Sequence, residues 1–215
     1  MTTAVATLPL MTMSWPARIA WMILAVLCLG IAVYSAHYLL HPPRTPAQAL
    51  RNPLGVPWLF IHVAGAVTAL VLGSFQFLPA LRRGLSPPHR WIGRLYVVGC
   101  LVGGAAGLIL ALGSSAGPIA SAGFGSLAVI WIVATLLGWH AVLQSRFAKH
   151  RRWMIRSWAL TLAAVTLRLY LPLVMAFELP FLPWYRAISF LAWVPNLIAA
   201  ELWLRRTGSR VQTLP

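Results

Sequence analysis

"KHRRWMIRSWALTLAAVTLRLYLPLVMA", residues 149–176, decides how the chain is read. Four cations and a histidine occupy its first eight positions. The twenty residues that follow are apolar or hydroxylated except for one arginine, Arg168. Twenty helical residues span about 30 Å, the thickness of a bilayer's hydrocarbon. A basic cluster beside such a run is the pattern of a membrane helix anchored at its cytoplasmic end. "HRWIGR", residues 89–94, sets His89, Arg90, Trp91 and Arg94 before a second apolar run in the same way.

Composition extends this reading to the whole chain. Of 215 residues 60% are hydrophobic and 9% charged, with a mean hydropathy of +0.80; soluble domains carry about 25% charged residues. Six apolar stretches are long enough to cross a bilayer, at about 18–40, 56–80, 91–113, 121–143, 154–177 and 184–204. The expected fold is therefore all-α, a single domain over residues 1–215 built as a six-helix transmembrane bundle. The first stretch reads as an uncleaved anchor, since it is longer than the apolar core of a secretion signal. Net charge is +15, from 17 Lys and Arg against Glu178 and Glu201. A nucleic-acid partner is not expected, because the cations lie between apolar runs. Thirteen of them fall at the N-terminus, in the second and fourth connections and in the tail, while Arg44, Arg51 and Arg186 fall on the other side. Both termini are therefore expected in the cytoplasm. Cys28 and Cys100 lie apart in apolar runs and read as packing residues.

Helical periodicity sorts the polar side chains. At 100° per residue His62, Gly65, Ala69, Gly73 and Gln76 share one face of the second span. His89, Gly93, Tyr96, Gly103 and Gly107 share one of the third, and His150, Met154, Ser157, Thr161, Ala164 and Arg168 one of the fifth. Small residues on such stripes let helix backbones approach. They do not account for Arg168, which is costly within hydrocarbon and calls for a partner or a purpose. By depth, Gln76, His89, Arg94, His140, His150, Arg156 and Glu201 gather near the cytoplasmic side, whereas His37, His62 and Arg168 lie in the outer half. Asn196, after an expected kink at Pro195, approaches the depth of Arg168.

Two chemistries suit these groups. Imidazoles, small residues and arginines can together hold haem b: His89 and His150 as inner ligands with Arg94 and Arg156 on the propionates, and His62 with Arg168 at an outer site. Alternatively the cytoplasmic Arg and His cluster binds or transports an anionic lipid or metabolite. "SPPHR" reads as a helix start with Ser86 as N-cap, and free N–H groups beside cations attract anions. Gln76, Arg90, Asn196 and Glu201 complete the candidate polar cluster. No paired carboxylates, metal motif or nucleophile with a base marks an enzyme.

"LRRGLSPPHRWIGRLYV", "HRRWMIRSWALTLAAVTLRLYLP" and "WVPNLIAAE", together with His62 and "GSFQFLP", resemble bacterial membrane proteins grouped as domain of unknown function 2306. The resemblance runs from about Trp58 to Glu201. It implies a multi-pass protein of the bacterial inner membrane. Through a distant similarity to the two-haem cytochrome b superfamily, it also implies an electron carrier. The topology makes the first testable statement: a reporter fused after Pro215 is active only in the cytoplasm, and activity on the opposite side would show that a span has been miscounted.

Overall fold

The structure is a computed structural model, and it describes residues 15–40, 52, 54–76 and 87–209. Every element described is helical: α1 (Trp15–Leu40), α2 (Gly55–Gln76), α3 (Pro87–Leu112), α4 (Pro118–Leu143), α5 (Phe147–Thr161), α6 (Ala163–Ala176), α7 (Phe181–Leu191) and α8 (Val194–Ser209). They make six membrane-length passes, in which α5 with α6 forms the fifth and α7 with α8 the sixth. An even number of passes puts Trp15 and Ser209 at one end of the bundle, called here the terminal end. The 113–117 turn and residues 177–180 lie at the distal end. Large apolar side chains such as Trp15, Val26, Val33 and Leu112 face outward. A water-soluble bundle would bury them, whereas lipid accepts them. Ser86, the expected N-cap of α3, and residues 77–80, the expected end of the second span, lie outside the described residues.

Glycine sets the closest contact. A methyl group on Gly65 would lie 2.5 Å from the Gly103 nitrogen, and one on Gly99 would lie 2.9 Å from the Gly65 carbonyl oxygen. The backbones of α2 and α3 therefore touch with no side chain between them, as small-residue stripes permit in lipid. α4 packs on α3, α5 and α7, while α5 lies along α8 and α6 along α7. Around this frame Cys28, Leu70, Tyr96, Cys100, Leu160 and Ile188 are fully buried.

The fifth and sixth passes are each interrupted near mid-depth. Pro195 has no N–H to donate, so the helix ends before it and restarts with the proline in a first turn, where it is tolerated. The Trp193 N–H turns to the Phe190 carbonyl at 3.1 Å. The Ser189 carbonyl takes the Trp193 indole N–H instead, at 3.0 Å. At Leu162 the flanking threonines perturb the ladder: Thr161 bonds back to the Ser157 carbonyl and Thr166 to that of Leu162. Such back-bonding bends helices. The two breaks meet, since the Thr166 hydroxyl lies 2.6 Å from the Ala192 carbonyl and the Asn196 amide donates to both.

Gly103→Val would drive a branched side chain into the α2 backbone, and overpacking of this kind costs about 1–3 kcal/mol or more. We expect it to lower unfolding stability in mixed micelles by at least about 2 kcal/mol. Gly30→Ala, which meets nothing within 4 Å, should leave it unchanged.

Candidate functional site

The contact between α2 and α3 opens a cavity of about 300 Å³ beside it, in the distal half of the bundle. Its walls are mostly apolar, with Leu59, Val63, Ala66, Leu110, Leu127 and Leu167 among them. His62, Asn52, Ser114, Tyr185 and Arg168 interrupt this surface, and among the described residues the lining contains no carboxylate. The His62 ring lies against Gly107, where an added methyl would sit 2.8 Å from Nδ1. That nitrogen is 2.8 Å from the Gly103 carbonyl. A carbonyl can only accept, so Nδ1 carries a proton and in the neutral ring Nε2 is the acceptor. Arg168 reaches the cavity from α6 and donates to the Ala164 carbonyl at 3.1 Å. Asn52 holds the distal rim by donating to the Leu110 carbonyl at 2.7 Å and accepting from the Leu54 N–H at 2.9 Å. Beside that rim Arg186 donates to the Ala116 carbonyl at 2.8 Å across a turn closed by Gly117, whose φ of 92° favours glycine.

The cavity floor is polar and buried. Thr161 and Trp131 belong both to the lining and to a buried network. Thr161 uses its own proton on the Ser157 carbonyl and so accepts from the Trp131 indole at 3.0 Å. Its other partner is the Tyr96 hydroxyl, also at 3.0 Å. Tyr96 in turn lies 2.9 Å from Ser157. Thr135 donates to the Trp131 carbonyl and accepts from Ser157 at 2.7 Å. Residues of α3, α4 and α5 are thus tied together in a medium where an unmade hydrogen bond is expensive. The sequence stripes included Tyr96, Ser157 and Thr161 but missed Trp131 and Thr135. Their four-residue spacing on α4 was the available signal.

The terminal end is arranged differently. Arg156 grips Glu201 with two hydrogen bonds, Nε to Oε1 and a second at 2.9 Å to Oε2, and lies 4.6 Å over the Trp153 ring. His150 donates from Nδ1 to the Gly138 carbonyl at 2.8 Å. Gln76 donates to the backbone carbonyl of His89 at 3.1 Å, joining the end of α2 to the start of α3. Arg94 is exposed, 4.8 Å over Trp91, and Arg90 is exposed beside it. Of the residues selected from sequence, then, the structure brings together His62 with Arg168, Arg156 with Glu201, and Gln76 with His89. It anchors His89 and His150 on different helices, and it sets Asn196 at the paired breaks.

These positions test the fit of haem b. Two axial imidazoles must face each other across a slot. His62 is the one imidazole among the described residues that line the cavity, and no described group of three or more His, Cys, Asp or Glu could hold a bare metal ion. At the terminal end Arg94 lies on Trp91 and Arg156 is clamped to Glu201. The described lining of the cavity thus supplies one imidazole and not the facing pair that a two-imidazole haem needs. Comparison with curated proteins and with solved structures finds no match. The sequence profile described as "Predicted membrane protein (DUF2306)" matches residues 59–204, from α2 to α8, and the chain belongs to that family.

Proposed function

We propose that the protein binds, inside its distal half, a small amphipathic molecule with an acidic head and an apolar body. One observation carries this reading: the cavity is largely apolar, contains Arg168 and His62, and has no carboxylate among the described residues of its lining. A guanidinium in so weak a dielectric interacts strongly with an anion that enters, and its fork suits a carboxylate or phosphate. The apolar walls favour the body of the same molecule, and the volume lies at the small end of ligand pockets. Arg156, assigned from sequence to the cytoplasmic cluster, is paired with Glu201, whereas Arg168 lines the distal cavity. The paired breaks in the fifth and sixth passes adjoin this cavity through Ala163, Ala164 and Ala192. Interrupted helices at a mid-membrane site are the arrangement of carriers, so the reading extends to passage of the molecule across the bilayer.

Trp131 in the lining provides the readout. Octanoate added to purified protein should quench indole emission saturably, while octanol of the same length should bind at least about tenfold more weakly. Arg168→Gln should reduce octanoate affinity by a similar factor and leave octanol unaffected. Equal affinity for acid and alcohol would overturn the reading.

One feature favours a second reading. A ligating histidine usually donates its other ring N–H to a carbonyl, as His62 does to Gly103. His62 Nε2 would then hold the iron of one haem, which supplies one-electron chemistry. Protein purified with haem available should show a Soret band that His62→Ala abolishes. Colourless protein that still binds octanoate would eliminate this reading and leave the first intact.

A further inference from the structure

The start of α5 and the end of α8 bring basic side chains together across about fifty residues of sequence. Glu201 of α8 receives Arg156 of α5 in a two-bond clamp. Arg152 of α5 and Arg205 of α8 both lie within electrostatic reach of the same carboxylate. Arg151 lies 5.4 Å over the ring of Trp203, one turn before the end of this cluster. Arg151, Arg152 and Arg205 are exposed, and Trp203 is 44% exposed.

Orientation in the bilayer requires basic residues at this end but does not require them to converge. Three guanidiniums, those of Arg152, Arg156 and Arg205, lie beside one carboxylate and repel one another, and the clamp neutralises one charge. Arg152 and Arg205 add positive charge beside the clamp and Arg151 adds more over Trp203, at the level where an exposed indole rests among lipid headgroups. Each guanidinium can take a phosphodiester through two parallel hydrogen bonds. Basic grooves between membrane helices on the cytoplasmic side suit lipids with more than one phosphate.

We propose that the basic cluster where α5 meets α8 at the terminal end binds the headgroup of a two-phosphate lipid of the cardiolipin type. Its phosphates lie between Arg152 and Arg205, and its glycerol and acyl region lies along Trp203. This site is separate from the distal cavity and does not depend on what that cavity holds.

The test uses full-length protein in phosphatidylcholine nanodiscs doped with either cardiolipin or phosphatidylglycerol at equal phosphate, with retained lipid counted by native mass spectrometry. Cardiolipin should be retained at least about tenfold more than phosphatidylglycerol. Arg152→Gln and Arg205→Gln should each weaken its retention roughly fivefold, the effect of one cation at an anionic surface. Arg18→Gln, an exposed cation on α1, should not. Thermal unfolding of each variant in lipid-free detergent checks that the fold is kept, and Arg152→Lys restores the charge at the same position if Arg152→Gln fails to fold. Equal retention of the two lipids, or an equal loss with Arg18→Gln, would reduce the cluster to a general basic surface. Complete displacement of cardiolipin by millimolar pyrophosphate would show a free-phosphate site and overturn the lipid assignment.

Discussion

Gly65 meets Gly99 and Gly103 with no side chain between the two backbones, and the distal half of the bundle is built around that contact. Because α3 presents bare backbone there, the Gly103 carbonyl is within reach of an imidazole one turn away on α2. Because Gly107 follows at the same spacing, the ring has room to lie flat against the helix. The cavity lies beside this contact, and residues of α4, α5 and α6 complete its wall. A larger residue at Gly65, Gly99 or Gly103 would separate the helices, and one at Gly107 would turn His62 away from the position it holds.

The second constraint is the scarcity of water. Each buried polar group of the Tyr96, Ser157 and Thr161 network has a partner, and the network spans three helices at mid-depth. That ties the floor of the cavity to a rigid core, whereas the sixth pass beside it is interrupted at Ala192 and Trp193. A fixed floor with a jointed wall can admit a molecule without dismantling the bundle. At the terminal end the Arg156 and Glu201 clamp joins α5 to α8, so the two halves of the protein are secured by different chemistry. The clamp is partly exposed, and its contribution is correspondingly modest.

Much of this architecture was legible in the sequence. The six passes followed from hydropathy and length, the small-residue stripes on α2 and α3 from periodicity though not the pairing of those two helices, and the break in the sixth pass from Pro195. His62 and Arg168 were grouped by depth before either was seen to face the same cavity. Other features were not legible because they depend on pairing rather than periodicity. Arg156 and Glu201 were placed at one depth, but nothing in either run indicates that they meet, and Arg156 was assigned to a propionate instead. α4 is apolar around most of its circumference, so Trp131 and Thr135 did not stand out as a polar face. The interruption at Leu162 has no proline or glycine beside it, and only the hydroxyls of Thr161 and Thr166 hint at it.

The central claim is that an acidic head enters the cavity and is held by Arg168. The most direct measurement is solid-state magnetic resonance on protein in lipid, with octanoate labelled at its carboxyl carbon and arginine labelled at its guanidinium nitrogens. The account predicts a dipolar coupling between the two labels at hydrogen-bond range, lost in Arg168→Gln and kept in Arg186→Gln. Bound octanoate with no such coupling, or with a coupling that survives Arg168→Gln, would contradict it.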